Sequence, residues 1–359
     1  IMSITKNHLI GNGILIIRLS KESVDVLKSK LSILKDFFYI LQDINIGNYF
    51  HKEIIENYKF VDGCIKGEIE YTARDLCNAL KNKTSLKDVN GLTFKEGVNK
   101  DRELIKNLDE LPFPDRDDFK IEDYMQAFFS GKKTAMMISS RGCPYQCSFC
   151  LWPNVFTGHV PRFISPEKVV DEIEYLVKEK GVDEIFFDDE TLTVTKERIQ
   201  GVCDEMIKRE VKVPWLCNGR VDNVDSDVLK LMKKAGCTRI FYGVESGSEK
   251  ILKSMCKGIS KEKALKAVRE TQKTGIVACV SFTIGMPDEN KDTINETLKF
   301  AKKLHADYTQ FTLTAPFPGT KLFEEAKEKG LLEIDSWEDL DGTKGPILRT
   351  EHLSREELK

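Results

Sequence analysis

The sequence predicts an α/β fold built on a parallel sheet of six strands, and three observations carry that prediction. From about residue 134 onward, short apolar runs alternate with longer amphipathic stretches, and strands alternating with helices imply a parallel sheet. Helix signals bracket the amphipathic stretches, as where Ser165 and Pro166 open one and Gly181 closes it. Polar residues recur where the apolar runs end, namely the cysteines after 140, Asp188-Asp189-Glu190, Asn218 and Arg220, Glu245-Ser246, Gly285 and Thr312 to Thr314. The C-terminal rim of a parallel barrel is where such folds carry their chemistry, so this registration points to an enzyme.

In order, TAMMISS (134–140) is the first strand and runs into a cysteine-rich loop. SPEKVVDEIEYLVKEKG (165–181) is a helix whose apolar stripe is Val169, Ile173, Leu176 and Val177. The cycle then repeats: strand DEIFFD (183–188), helix 195–209, strand VPWLCN (213–218), helix 225–235 and strand TRIFYGV (238–244). Helices within 247–274, strand VACVSFTI (277–284), helix 290–304 and strand DYTQFTLT (307–314) complete it.

Residues 1–100 read as a partial α/β segment. GILIIRL is a strand, KESVDVLKSKLSILKDFFYIL (21–41) a helix, and VDGCIKGE (61–68) a strand and turn. TARDLCNAL (72–80) is a short helix and GLTFKEG (91–97) a hairpin arm. LDELPFPDRDDF (108–119), with two prolines and many acids, marks a linker over 101–133. The barrel then occupies 134–320, and 321–359 is a C-terminal extension. The chain opens on Ile1 ahead of Met2 and closes on SREELK, a helix start with no stop signal, so it reads as a piece of a longer protein.

Composition bounds the function. Hydrophobic residues make up 41% of the chain, charged residues 31%, and the net charge is -3. No basic block suggests a nucleic-acid footprint, and no apolar run reaches the length of a membrane span. Ten cysteines in 359 residues do not form the dense framework of a small secreted protein, so a reducing cytoplasm is expected.

The informative stretch is RGCPYQCSFC, which sets Cys143, Cys147 and Cys150 in a C-x3-C-x2-C spacing. A chain of this composition meets that spacing by accident roughly once in a hundred. Structural zinc wants a closed set of four ligands, and His159 is the one nearby group that could reach back as the fourth. Three thiolates suit a [4Fe–4S] cluster with one iron left open, and an open iron binds a substrate or cofactor. The other cysteines lack close spacing and read as small buried hydrophobes, with Cys217 the one to watch because it falls on the expected rim.

On this motif the chain resembles the radical S-adenosylmethionine (radical SAM) superfamily over about residues 134–320. The resemblance implies an incomplete (β/α)6 TIM-like barrel with a partial Rossmann-like segment before it. It also implies a [4Fe–4S] cluster on Cys143, Cys147 and Cys150, whose open iron chelates S-adenosylmethionine and whose electron releases a 5′-deoxyadenosyl radical. Phe149 matches the family's aromatic position near adenine, or packs the loop. Asp188 or Asp189 accepts the methionine ammonium, or caps a helix. Arg220 pairs with the methionine carboxylate, or with Asp222 or Glu245. Glu245 holds the ribose hydroxyls, and Gly285 in IGMPDEN supplies an adenine-contacting backbone. The electron donor implied is a flavodoxin or ferredoxin, and the substrate a small or lipid-like metabolite.

VDGCIKGE, LPFPDRDDF, FFDDET, CNGRVD and YGVESGS further resemble the subclass that carries a cobalamin-binding domain, which includes methyltransferases and an anaerobic porphyrin cyclase. CLWPN is similar to members linked to hopanoid synthesis. Cobalamin is expected of a full-length protein rather than of this chain. Residues 1–80 show two or three strands where such a domain needs about five, and Lys6 stands where a cobalt-ligating loop ending in HLIG (8–11) would carry Asp. Two other functions stay open, an RNA methylthiotransferase with the same barrel and a non-catalytic zinc or iron–sulfur scaffold.

Overall fold

The computed structural model describes residues 14–17, 38–41, 46–59, 61–117, 121, 133–334 and 345–359. Two larger sheets organise them. The first has the order β1-β2-β3-β4-β5, with β1 Ile14–Ile17, β2 Phe38–Leu41, β3 Gly63–Ile65, β4 Leu92–Phe94 and β5 Gly97–Val98. The first three are parallel, while β4 and β5 form an antiparallel hairpin on β3. Three of its strands lie within residues 1–80, in line with the two or three expected there, and β4 with β5, at the expected hairpin arm, extend it to five among the described residues. Phe38–Leu41 is a strand and not the end of a helix, because its aromatic and aliphatic run pairs with β1 from Ile14↔Phe38 to Ile17↔Leu41. HLIG at 8–11 and residues 21–37 of the expected helix lie outside the described residues. The helix Ile69–Asn82 buries Thr72, Leu76 and Ala79 against this sheet's side.

The second sheet holds β6 Thr134–Met137, β9 Glu184–Phe187, β10 Trp215–Gly219, β11 Cys237–Glu245, β12 Val277–Ile284 and β13 Tyr308–Leu313. A short antiparallel ribbon, β7 Ser140–Arg141 with β8 Arg162–Phe163, interrupts the series after β6. All six strands are parallel in the order β6-β9-β10-β11-β12-β13, with β6 and β13 as its edges. This is the six-stranded parallel sheet that the strand–helix cycle predicts, in the incomplete (β/α)6 arrangement that the family resemblance implies.

Period-2 alternation sorts each strand's side chains. Ile185 and Phe187, Trp215 and Cys217, Ile240 and Tyr242, and Ala278 and Phe282 join the core under the helices. That core takes one stripe from each helix, such as Val169, Val170, Ile173 and Leu176 of Pro166–Lys180. Its polar tips are satisfied: Trp215 Nε1 donates to the Ala235 carbonyl at 2.8 Å, and the Tyr242 hydroxyl lies 2.9 Å from Thr271 Oγ1. The helix starts follow the sequence, with Ser165, Thr195, Asp225, Ser260 and Asn290 each capping through its side chain.

The segment expected as a linker is packed over its described part. Ile105 and Leu108 are buried, Ser165 N donates to Asp109, and Lys168 Nζ donates to the carbonyls of Asp109 and Leu111. Residues 101–117 thus strap the N-terminal unit to the barrel. The extension after 320 also joins the site: Leu322 and Met286 pack with Phe149, and Leu322 N donates to the Ser148 carbonyl at 2.9 Å. Among the described residues no helix is long and apolar enough to cross a membrane.

Candidate functional site

The cysteine loop leaves the barrel through β7 and returns through β8. Its first turn needs glycine, since Gly142 has φ +91° and a Cβ there would stand 2.4 Å from the Val160 carbonyl oxygen. Cys143 N donates to the Gly158 carbonyl, Cys150 N to the Cys147 carbonyl, and Ser148 N to the Met255 carbonyl. Asn154 Nδ2 donates to the carbonyls of Cys150 and Cys147 at 2.6 and 3.3 Å. Bonds within the loop set its shape, and those from Ser148 to Met255 and from Leu322 to Ser148 tie it to two other segments.

Beneath it lies a cavity of about 410 Å³ lined by all three thiols. Phe149 and Tyr145 come from the loop itself, and Phe186, Asn218, Arg220, Phe241, Gly243, Glu245 and Ser281 from the barrel. Burial pushes the Cys143 thiol up, and Cys150 up to about 12. A thiol held there stays protonated at neutral pH until a cation arrives, which is how metal-binding cysteines behave before loading. Among the described residues no three His, Cys, Asp or Glu side chains group as around a single ion. In a cluster each thiolate binds its own iron, so three cysteines facing one cavity suit the cluster and do not need to converge. The donor set therefore fits an iron–sulfur group. His159, the expected fourth zinc ligand, instead has Nδ1 at 3.2 Å from the Cys143 carbonyl and is not among the residues that line the cavity.

Two buried cations face the thiols. Arg220 lies 3.5 Å from the centre of the Tyr145 ring and makes a two-point pair with Asp222, both bonds at 3.0 Å. Lys257 is 8% exposed and donates to Glu245 Oε1 at 2.8 Å. Thr283 Oγ1 donates to the other Glu245 oxygen at 3.0 Å. Glu245 itself has φ +65°, where β11 shifts register against β12, and a non-glycine residue held there is strained. Its carboxylate lies over Gly243, where a Cβ would meet Glu245 Oε1 at 2.2 Å.

The structure thus brings Cys143, Cys147, Cys150, Phe149, Arg220 and Glu245 together. It does not bring Asp188, Asp189 or Gly285 to that cavity. Asp189 is 0% exposed, and its carboxylate accepts from Ser139 N, Ser139 Oγ and Ser140 Oγ, which ties the end of β9 to the start of the cysteine loop. Fully buried on those three donors, it is not open to an ammonium in the thiol cavity. Gly285 has φ +101° and its N–H donates to Glu289 at 2.5 Å, as a turn residue. Cys217 is buried in the core under the helices, whereas Cys279, read as an ordinary core residue, lines the cavity.

Asp188 lines a second cavity of about 320 Å³ with Ile138, Trp152 and Phe156, and that cavity shares Glu190 and Asn218 with the first. Burial pushes Glu190 up to about 7, and its Oε2 is buried without a hydrogen-bond partner. Glu190, named in the sequence only as one of the rim acids, and Lys257, not named at all, also line the thiol cavity. The third acid of FFDDET was the available signal for one, and nothing in the sequence marks the other.

Burial likewise raises Asp188 from 3.8 to about 6. The folded state then holds the proton more tightly than the unfolded chain. The group's contribution to stability is present below about pH 4 and is lost as pH rises through about 6. Asp188→Asn removes that loss, so its melting midpoint should exceed the parent's at pH 8 and match it at pH 4. Equal shifts at both pH values would refute the assignment.

Comparison with known proteins accords with this geometry. Residues 137–301 match the Radical SAM superfamily. An uncharacterized methyltransferase of Pyrococcus horikoshii is 36% identical over 302 residues, covering 83% of this chain and 65% of the relative. The anaerobic magnesium-protoporphyrin IX monomethyl ester cyclase of Rubrivivax gelatinosus is 28% identical over 323 residues, covering 87% of this chain and 57% of the relative. The chain therefore spans about three fifths of the length of these relatives. The solved structure of the cobalamin-dependent S-adenosylmethionine radical enzyme OxsB, with aqua-cobalamin and S-adenosylmethionine bound, superposes with a TM-score of 0.69 at 25% identity. It covers 83% of this chain and 44% of that one.

Proposed function

This chain belongs to the radical SAM superfamily through residues 137–301, and we propose that it cleaves S-adenosylmethionine reductively to begin methylation or cyclisation of a small or lipid-like metabolite. The observation that carries this is the single cavity onto which Cys143, Cys147, Cys150, Phe149, Arg220, Glu245 and Lys257 all open. A [4Fe–4S] cluster on the three thiolates would supply the one electron that breaks the C5′–S bond of S-adenosylmethionine into methionine and a 5′-deoxyadenosyl radical.

This chain's own residues hold and shield that chemistry. Arg220 and Lys257 offset the charge of the thiolates and offer a partner to the methionine carboxylate. Glu190, with an unpartnered buried oxygen, takes the role of ammonium acceptor that the sequence assigned to Asp188 or Asp189. Glu245 is turned into the cavity and can accept from ribose hydroxyls. Phe149, Phe186 and Phe241 supply apolar wall that keeps water from the reacting atoms.

Methyltransferase and cyclase relatives support the reaction class proposed, and the electron donor proposed is a flavodoxin or ferredoxin in a reducing cytoplasm. Cobalamin use is assigned to a full-length protein. A nucleotide-binding sheet of that type needs about five parallel strands, and three of those described here are parallel. The test is anaerobic reconstitution with iron and sulfide, followed by incubation with S-adenosylmethionine and dithionite. About four irons per chain and release of 5′-deoxyadenosine are expected. One zinc per chain with no 5′-deoxyadenosine would leave only the scaffold reading.

A further inference from the structure

The cysteine loop is gripped from outside the barrel. Glu68 opens the helix Ile69–Asn82 of the N-terminal unit, and its side chain is 2% exposed. Arg141 and Arg162, cross-strand partners in the ribbon β7–β8 that closes the loop, both converge on it. Arg141 NH1 lies 3.1 Å from Glu68 Oε1, and Arg162 NH1 donates to Glu68 Oε2 at 2.9 Å. Ile105 N donates to Glu68 Oε2 at 2.6 Å, so the strap 101–117 meets at the same carboxylate. Arg162 then reaches into the loop, where NH2 donates to the Thr157 carbonyl at 2.7 Å, and Arg141 stands two residues before Cys143. A more exposed acid, Glu70, holds the outer side of Arg141 at 2.5 Å.

We propose that Glu68 is a positioning residue for the three-cysteine loop, fixing the thiols from the N-terminal unit through Arg141 and Arg162. The physical reason is the cost of the alternative. Glu68 is the buried carboxylate that both half-buried guanidiniums reach, and without it Arg162 keeps only the carbonyls of Ile105 and Thr157 while Arg141 is held from its outer side alone by Glu70. The ribbon is only two residue pairs long and cannot hold its register by its own hydrogen bonds. The grip therefore decides where the loop, and with it each thiol, comes to rest. The radical SAM match begins at residue 137, so the proposal places a determinant of thiol geometry outside the matched domain.

The test uses the full chain with Glu68→Gln, which keeps the shape and an acceptor for Ile105 N while removing the charge. The first readout is iodoacetamide labelling of the metal-free protein, resolved by cysteine in the mass spectrometer. It does not depend on the cluster reading. Labelling of Cys143, Cys147 and Cys150 should rise by about tenfold, as local opening permits. Cys203 and Cys217, buried in the core, should stay unreactive, which separates a loosened loop from a destabilised fold. The second readout rests on the proposed cluster. Iron in reconstituted protein should be lost to a chelator about tenfold faster in the variant, the usual effect of removing an outer-shell partner. If the parent takes up no iron, the cluster reading fails while the labelling result still decides this proposal. Should Glu68→Gln not fold, Glu70→Gln carries the test, with a smaller rise confined to the same three thiols. Unchanged labelling of the loop in a folded variant, or a rise shared by Cys203 and Cys217, would overturn it.

Discussion

Cys143→Ala, Cys147→Ala and Cys150→Ala should each strip bound iron from the reconstituted protein and abolish release of 5′-deoxyadenosine. The brown absorbance at roughly 400 nm given by cysteine-ligated clusters should disappear with it. The expectation rests on three thiols opening onto one cavity that also holds two buried cations. Cys203→Ala and Cys237→Ala, in the core under the helices, should keep the iron. Cys279 is the discriminating control, because it is a fourth thiol on the same cavity. Iron retained in Cys279→Ala means three protein ligands and one open iron, which the chemistry requires. Iron lost there, or kept in the triple variant of the loop, would defeat the assignment.

The second large effect is expected at the Lys257–Glu245 pair. Both side chains are about nine-tenths buried, and Nζ lies 2.8 Å from Oε1. Breaking a buried pair from one side leaves the other charge uncompensated and costs about 3–5 kcal/mol. Glu245→Ala should therefore lower the unfolding free energy of the metal-free protein by that order, measured by urea titration. The double variant Glu245→Ala with Lys257→Met should recover much of it, since no orphan charge is left. Binding of S-adenosylmethionine, read by calorimetry on reconstituted protein, should weaken in Lys257→Met by roughly 10- to 150-fold, the cost of one lost bond to a charged group. Additive losses in the double variant would show that the two residues do not act as a pair. Unchanged affinity would take Lys257 out of the binding site.

The contrast between expected and observed site residues follows from strand geometry. Asp188, Asp189 and Glu190 are consecutive, and a chain leaving a strand sends successive side chains to different sides. Sequence proximity put all three on the rim. Only the fold shows that Asp189 is spent on Ser139 and Ser140, that Asp188 faces the second cavity, and that Glu190 borders both. The same alternation separates Cys217, turned to the helices on β10, from Cys279, turned to the cavity on β12. A one-residue difference in register exchanges such roles, and no composition or spacing reports it.

The barrel was legible because its signals are local. Caps at Ser165, Thr195, Asp225 and Asn290, apolar stripes of helical period and β-rich runs between them all lie within a few residues of what they determine. The cysteine spacing was legible for the same reason, since a loop binding one group must carry its donors close together in the chain. The strands Phe38–Leu41 and Gly97–Val98 were not, because two to four residues hold too little pattern to outweigh their neighbours. Lys257 was not, because it sits just after a short helix and its meaning lies in Glu245 at the end of β11, which only the fold brings against it. Glu68 was not, because the charges it answers, Arg141 and Arg162, stand 73 and 94 residues away in the chain. Local chemistry determined which elements form and which residues could bind iron. Burial and long-range pairing, which exist only once the chain has folded, decided which charges face the thiols and what holds the loop that carries them.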